Sequence, residues 1–476
     1  MIDRPNIILL VMDSVRAANV SCYGYERPTT PNIDALATEG VLFEQAISMG
    51  CWTLPVHASL FTGLYPLSHG ITISKNALPD DFPTLAGHLN ELGYETACFS
   101  NNAYVSELTN LTQRFDTVED VWRVSNPRGI KRTKMWRLRK WLEQFGPATK
   151  PIIAVTRWLQ RARAFLKRRR RQGDKGARLT NQKIESWLTE SRDVDKPFFM
   201  FVNYMEPHEP YNPPQPYDRR FMPKRFAPRR VAQVGNNKEV IRQTADRKRF
   251  EDNLEIIRAL YDGELCYLDR RIGELIELMS ARDLLDDTVL IVTSDHGESL
   301  GEHEHIGHRT ALYEQLVHVP LVIRYPARFQ PGTRCKEQVS LMDLYPTILE
   351  LAGAERSSFS TNGTHSLLAP PGFEKRPYVI AENTAPKSMN GVVARMLRTD
   401  RYKLIWRSDE QHELYDLLED PVERVNLIAS KPDLARELQE QLMAWMNSLG
   451  NQRVETGEAH YDAAIQEHLQ KLGYVD

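Results

Sequence analysis

The hydrophobic pattern divides the chain into short unbroken apolar runs and longer stretches with a helical repeat. Asn6-Ile7-Ile8-Leu9-Leu10-Val11-Met12, Phe198-Phe199-Met200-Phe201-Val202, Thr288-Val289-Leu290-Ile291-Val292-Thr293 and Val319-Pro320-Leu321-Val322-Ile323 run on without polar alternation. Strands of that kind are buried on both faces, as in a parallel sheet covered by helices. Helical repeats fall at 31–37, which begins with a proline, at 254–279, at 340–353 and at 432–448. The charged stretch 212–250, with Pro213-Pro214, predicts a loop with short helices. After Pro370-Pro371-Gly372 the segments 377–381 and 402–406 read as strands. The expectation is an α/β fold with a central, mostly parallel sheet over residues 1–372. A smaller α+β subdomain is expected over 373–476.

Ligands of open α/β sheets bind at the carboxyl ends of the strands. Asp13 directly follows the first apolar run, with Ser14 and Arg16 in the same loop. The stretch Cys51-Trp52-Thr53-Leu54-Pro55-Val56-His57-Ala58-Ser59-Leu60-Phe61-Thr62-Gly63 carries a second signal. Pro55 has no N–H and a fixed φ, so it suits the first turn of a helix. Thr53 then lies where the helix begins, beside unpaired N–H groups and the positive dipole end. Such a place holds a tetrahedral anion, phosphate or sulfate, and His57 one turn later can face it. The plainer reading makes Thr53 a cap of a buried helix.

Composition narrows the class. The chain has 476 residues, 41% hydrophobic and 26% charged, with a formal net charge of -2. That is ordinary for a globular protein, and global charge nominates no polyanionic partner. Cys22, Cys51, Cys98, Cys266 and Cys335 are far apart and form no CxxC pair. This argues against a disulfide framework or a zinc-thiolate site. With no signal-peptide pattern and no apolar stretch of membrane-spanning length, the expected location is cytoplasmic. Charge is uneven, however. An insertion at about 125–190 is dense in Lys and Arg, with Trp158, Leu159, Phe165 and Leu166 at helical spacing and Arg168-Arg169-Arg170-Arg171 at its end. It reads as a basic helical hairpin. It would be a solvated face, a lid or homo-oligomer contact, or a peripheral contact with an anionic membrane. No nucleic-acid recognition module is visible.

Several motifs in order carry a resemblance. Asp13 after a strand, Thr30-Pro31-Asn32-Ile33-Asp34, the Thr53-Leu54-Pro55-Val56-His57 turn ending in Thr62-Gly63, Pro207-His208-Glu209-Pro210-Tyr211 and Ser294-Asp295-His296-Gly297-Glu298 stand in sequence. Val319-Pro320-Leu321, Asp343-Leu344-Tyr345-Pro346-Thr347 and Glu413-Leu414-Tyr415-Asp416-Leu417 follow. Together they resemble the sulfatase family of the alkaline phosphatase superfamily across nearly the whole chain outside the insertion. The resemblance implies an alkaline-phosphatase-like sandwich and an ester hydrolase. Departures fall at the chemistry. Formylglycine sulfatases carry Cys or Ser, x, Pro, Ser, Arg, whereas here Thr53 holds the nucleophile position and His57 the arginine position. Ser14 replaces the second of paired aspartates, and His296 an asparagine. Asn101 and Ala103 replace a lysine and a histidine, and His308 a late lysine.

These changes favour phosphoester cleavage or transfer over sulfate ester hydrolysis. A formylglycine hydrate expels sulfate by re-forming its aldehyde, whereas a threonine ester needs attack by water at phosphorus or sulfur. No formylglycine is expected. The set Asp13, Thr53, Asp295 and His296 is similar to a metal site of threonine-dependent branches such as lipoteichoic acid synthases and nucleotide phosphodiesterases. Asp295 closes an apolar run as Asp13 does, and two carboxylates on one sheet edge repel unless a cation lies between them. The ligands are mostly hard oxygen, so one divalent ion is expected: Mn²⁺, Mg²⁺ or Ca²⁺, with Zn²⁺ admitted by His296. His57, His208 and His308 are the candidates for stabilising charge on an anionic ester or protonating its leaving oxygen. Asn101, Lys75 and Asn76 are candidate substrate contacts. The alternatives are a sulfatase using unmodified threonine and a non-catalytic homologue that binds metal and anion.

Overall fold

A computed structural model describes residues 4–72, 75–125, 173–235, 246–308, 311–358, 363–368, 376–384 and 391–449, with a few positions between 454 and 466. The unbroken apolar runs are central strands of one sheet. Its main strands are β1 (Asn6–Met12), β2 (Val41–Ile47), β3 (Glu95–Ser100), β4 (Thr117–Asp120), β5 (Phe198–Tyr204), β6 (Thr288–Ser294), β7 (Leu321–Arg324) and β8 (Thr333–Ser340). Their order is β8-β2-β7-β6-β1-β5-β3-β4. The pairings are parallel except where β7 lies antiparallel between β6 and β2, and where the short strand His318–Val319 pairs β2.

Both faces of the sheet are covered, which is why its middle strands carry no polar alternation. Ile7, Leu9, Val11, Phe199, Phe201, Val289 and Ile291 pack with the helices Thr53–Thr62 and Leu344–Leu351. Ile8, Leu10, Met12, Met200, Val202, Leu290 and Val292 face the other way, against Leu265, Leu268, Ile272 and Leu275 of the long helix Arg247–Ser280. Each such side chain, fully withdrawn from water, contributes about 1.5–3 kcal/mol. Helix Thr53–Thr62 is buried along its whole length. It therefore sits as a fixed rod against the sheet, and Thr53 at its start is held rather than draped.

A second sheet follows, antiparallel in the order β9 (Val379–Asn383), β10 (Ala394–Arg398), β11 (Tyr402–Arg407), β12 (Glu413–Asp416). Helix Pro432–Ser448 packs on it through Leu438 and Leu442. Ile380, Leu397 and Leu404 join the same buried cluster as Leu54 and Phe61, so this sheet shares a core with the Thr53 side of the main sheet. The expected boundary at 372/373 lies outside the described residues, as does the 126–172 part of the insertion expected at about 125–190, whose later part holds helix Ala177–Ser186. Among the described residues no helix is long and apolar enough to cross a membrane.

Candidate active site

Strand register builds the centre of the site. β1 and β6 run parallel with Met12 opposite Ser294, so Asp13 and Asp295 leave the sheet side by side. Both are fully buried, as are Ser14 and His296. The loop after β1 turns at once: Ser14 has φ 64°, a left-handed conformation uncommon for a residue with a side chain. That turn aims three groups. The Ser14 N–H donates to Asp295 Oδ1 (3.2 Å), its hydroxyl donates to Asp13 Oδ1 (2.8 Å), and its carbonyl accepts from the Tyr261 hydroxyl (2.7 Å). Asn102 donates from Nδ2 to Asp13 Oδ2 (2.8 Å). The His296 N–H donates to Asp295 Oδ1 (2.8 Å).

His296 is oriented through its other nitrogen. Its Nδ1–H donates to the Gly297 carbonyl (2.8 Å). Nε2 thus turns toward the acids, 3.8 Å from Asp13 Oδ1, 3.5 Å from Asp295 Oδ2 and 3.4 Å from Thr53 Oγ1. Gly297 is required by packing, since a Cβ there would sit 2.0 Å from the Gln315 carbonyl oxygen. One ligand atom each from Asp13, Asp295 and His296 lie within 4.8 Å of one another.

The donor set fits a cation. Burial first, then the neighbouring Asp295, push Asp13 up to about 7. Burial likewise raises Asp295 to about 7 against the Ser14 and His296 N–H groups and the Thr53 hydroxyl. Two buried acids with strained ionisation, faced by the lone pair of an imidazole whose N–H is tied to a carbonyl, are the arrangement of a metal centre. The residues that would hold the ion are Asp13, Asp295 and His296, with the Thr53 hydroxyl beside them. Oxygen predominance with one imidazole suits Mn²⁺, Mg²⁺, Ca²⁺ or Zn²⁺.

The remaining histidines stand around this group. The His57 Nδ1–H donates to the Thr53 carbonyl (2.8 Å) and lies 3.8 Å from Asp295 Oδ2. Burial lowers its pKa to about 4, so it is a neutral imidazole at pH 7. Its ring packs edge-on against Phe201 and Phe61. The His308 ring lies 4.4 Å from that of His296 and 5.0 Å from that of His208. The His208 Nδ1–H donates to the Glu209 carbonyl (2.7 Å), and the His308 Nδ1–H to Glu298 Oε1 (3.0 Å). Thr53, His57, His208, His296 and His308 therefore converge with the two aspartates.

Three other expected contacts stand elsewhere. Asn101 is buried, but its Nδ2 donates to Thr180 Oγ1 (2.7 Å) and its amide lies against Gly176, where a Cβ would sit 2.3 Å from Oδ1. It braces the start of helix Ala177–Ser186, and the neighbouring Asn102 makes the bond to Asp13. Asn76 accepts from the Ala459 N–H (2.6 Å), and Lys75 is exposed. Sequence reasoning passed over Asn102, Glu298 and Tyr211, whose hydroxyl donates to Glu298 Oε2 (2.9 Å). Glu298 and Tyr211 were visible as the last residues of the Ser294–Glu298 and Pro207–Tyr211 motifs; Asn102 gave no signal, since it lies in the turn after the strand that ends at Ser100.

A covered, mostly parallel sheet gathers acids, imidazoles and a hydroxyl at its carboxyl edge, where ligands of such α/β sheets bind. Comparison with known proteins makes this specific. The chain belongs to the Sulfatase family, whose model matches residues 5–354. A second model, N-sulphoglucosamine sulphohydrolase, C-terminal, matches residues 301–452. Similar curated proteins include an arylsulfatase of Clostridium perfringens, 25% identical over 90% of this chain and 91% of the relative. A choline-sulfatase of Rhizobium meliloti is 25% identical over 89% and 82%. A phosphonate monoester hydrolase of Agrobacterium radiobacter has the same fold, with TM-score 0.70 and 23% identity over 94% of this chain and 96% of that one.

Proposed function

We propose that this sulfatase-family hydrolase cleaves or transfers anionic phosphoesters, diester or monoester, with Thr53 as nucleophile. The observation that carries this reading is the placement of Thr53 Oγ1 at the start of a fully buried helix, 3.4 Å from His296 Nε2 and beside Asp295. Asp13, Asp295 and His296 would hold a divalent ion, which would supply positive charge beside the Thr53 hydroxyl and the anionic ester. The chain's own residues do the rest. Asn102, Ser14 and the His296 N–H fix the two carboxylates, and the Thr53 helix presents its free N–H groups toward the anion. Thr53 gives its hydroxyl proton to solvent, and its Oγ bonds to phosphorus as the ester oxygen leaves. Imidazole from the His208 and His308 pair gives that oxygen its proton. Neutral His57 orients the Thr53 turn through the carbonyl it binds.

Unmodified threonine favours phosphorus chemistry, because its ester has no aldehyde to re-form and opens only by attack at the central atom. No formylglycine enters this reading. The names of the curated relatives favour sulfate esters as the second reading. Mn²⁺-loaded protein, wild type and Thr53→Ala, should be offered bis(4-nitrophenyl) phosphate, 4-nitrophenyl phosphate and 4-nitrophenyl sulfate, with turnover and intact mass followed. A phosphate-ester adduct and nitrophenol release, both lost in Thr53→Ala, support the proposal. Sulfate release alone moves the assignment to a sulfatase. Metal binding with no turnover and no adduct on all three moves it to a binding protein.

Free cysteines throughout are what support a cytoplasmic location. For the basic insertion, its arginine-rich, tryptophan-bearing composition supports a surface for an anionic partner: substrate, membrane or a second copy.

A further inference from the structure

His308 does not stand alone in the site. Its Nδ1–H donates to Glu298 Oε1 at 3.0 Å, and the other carboxylate oxygen accepts from the Tyr211 hydroxyl at 2.9 Å. Glu298 is fully buried, Tyr211 is 3% exposed, and the ring of Tyr211 packs edge-on against Tyr261, which itself holds the Ser14 carbonyl. A buried chain of hydrogen bonds therefore runs from Tyr211 through Glu298 to His308. It ends where the His308 ring meets those of His296 and His208. A carboxylate that accepts from one ring nitrogen fixes the tautomer and orientation of an imidazole.

We propose that Glu298 is a positioning residue of this site, holding His308 so that its Nε2 takes the proton of the water that opens the Thr53 ester. The proposal rests on the threonine reading above and gives it the second half of its reaction. In that half a water oxygen bonds to phosphorus, its proton passes to His308 Nε2, and the bond from phosphorus to Thr53 Oγ breaks. Thr53 Oγ takes that proton from His308, so one water is consumed, the free hydroxyl is restored and His308 is again neutral. A site that must activate water needs an oriented base, and an imidazole fixed by a buried carboxylate meets that need.

The two halves separate experimentally when the leaving group needs no proton. With bis(4-nitrophenyl) phosphate and Mn²⁺, nitrophenolate departs unaided, so losing Glu298 should spare the first half and slow the second. Glu298→Ala should release about one equivalent of nitrophenolate per enzyme in a burst. Its steady-state rate should then fall about 10²-fold, with the Thr53 adduct accumulating by intact mass. Glu298→Gln should recover part of the rate, and Tyr211→Phe, which removes one hydrogen bond from Glu298, should lose less than tenfold. Unchanged steady-state turnover in Glu298→Ala would overturn the proposal. So would a burst and a turnover that fall together in a folded variant. If the wild type forms no adduct on any ester, the threonine reading itself fails. The orientation is then tested alone by ¹⁵N NMR of the His308 ring: Nδ1–H in wild type and a changed tautomer in Glu298→Ala uphold it, and the same tautomer in both removes it.

Discussion

Among the described residues, the buried charges at the junction of the two sheets and at the carboxyl edge differ in what balances them. At the junction of the two sheets, fully buried Lys403 reaches Glu314 (3.1 Å) and Glu423 (2.8 Å), and Arg398 reaches Glu314 (3.1 Å). Burial would raise Glu314, but Arg398 and Lys403 outweigh it and hold that carboxyl well below the usual range. Burial raises Glu423 to about 7 against a shared Lys403 and the Glu314 N–H. At the carboxyl edge, Asp13 and Asp295 are buried as deeply, no lysine or arginine bonds them among the described residues, and both rise to about 7. The same burial thus gives opposite outcomes for Glu314, which two cations of the chain reach, and for Asp13 and Asp295, which none bonds. In the junction cluster Lys403 and Arg398 of the chain itself meet the acids, whereas Asp13, Asp295 and His296 at the edge could hold a cation from outside.

The contrast can be broken most forcefully at the junction. Lys403→Met should leave Glu314 and Glu423 buried with less compensation and cost about 3–5 kcal/mol, read by urea unfolding. A loss under about 1 kcal/mol would show that the cluster is not closed by that lysine. The next largest effect belongs to the edge, through pH. Asp13 and Asp295 have native pKa values raised from 3.8 to about 7. Between those values the native state binds more protons than the unfolded one, so metal-free protein loses stability as pH rises from about 4 to 7. Saturating Mn²⁺ at pH 8 should restore it, raising Tm by about 3 °C or more, and Asp295→Asn should abolish that response. A metal-free protein whose Tm climbs over the same window would oppose this.

Those positions differ in how readable they were. Asp13 and Asp295 were plain because each ends an unbroken apolar run, and strand ends of a covered sheet are where polar side chains gather. Thr53 was plain because Pro55 dates the start of its helix. The edge strand β8, Thr-Arg-Cys-Lys-Glu-Gln-Val-Ser, gave no apolar signal, since its charged half is exposed and only Gln338 to Ser340 are buried. Asn101 was placed by a motif position and Lys75 by proximity in the chain, and neither fixes direction: the Asn101 amide turns to Thr180, and the Asn102 amide to Asp13. The junction cluster was equally hidden, because Glu314, Arg398, Lys403 and Glu423 meet only after two sheets pack.

Smaller effects sharpen the account. Asn102→Ala removes a hydrogen bond that orients Asp13 and should weaken Mn²⁺ binding about 10-fold to 100-fold by calorimetry while leaving the fold intact. Unaltered affinity would make Asn102 a packing residue. Thr53→Ala should change unfolding free energy by about 1 kcal/mol or less, since the helix is fixed by the burial of Leu54, Val56 and Phe61, which it leaves untouched. A larger loss would make the hydroxyl structural.

The most direct measurement is the anomalous scattering of crystals soaked in Mn²⁺. A single strong peak should lie about 2.0–2.6 Å from carboxylate oxygens of Asp13 and Asp295 and from His296 Nε2, with Thr53 Oγ1 beside it. No peak there at saturating Mn²⁺, or one held by other residues, would contradict the claim that this sheet edge is built around an external cation.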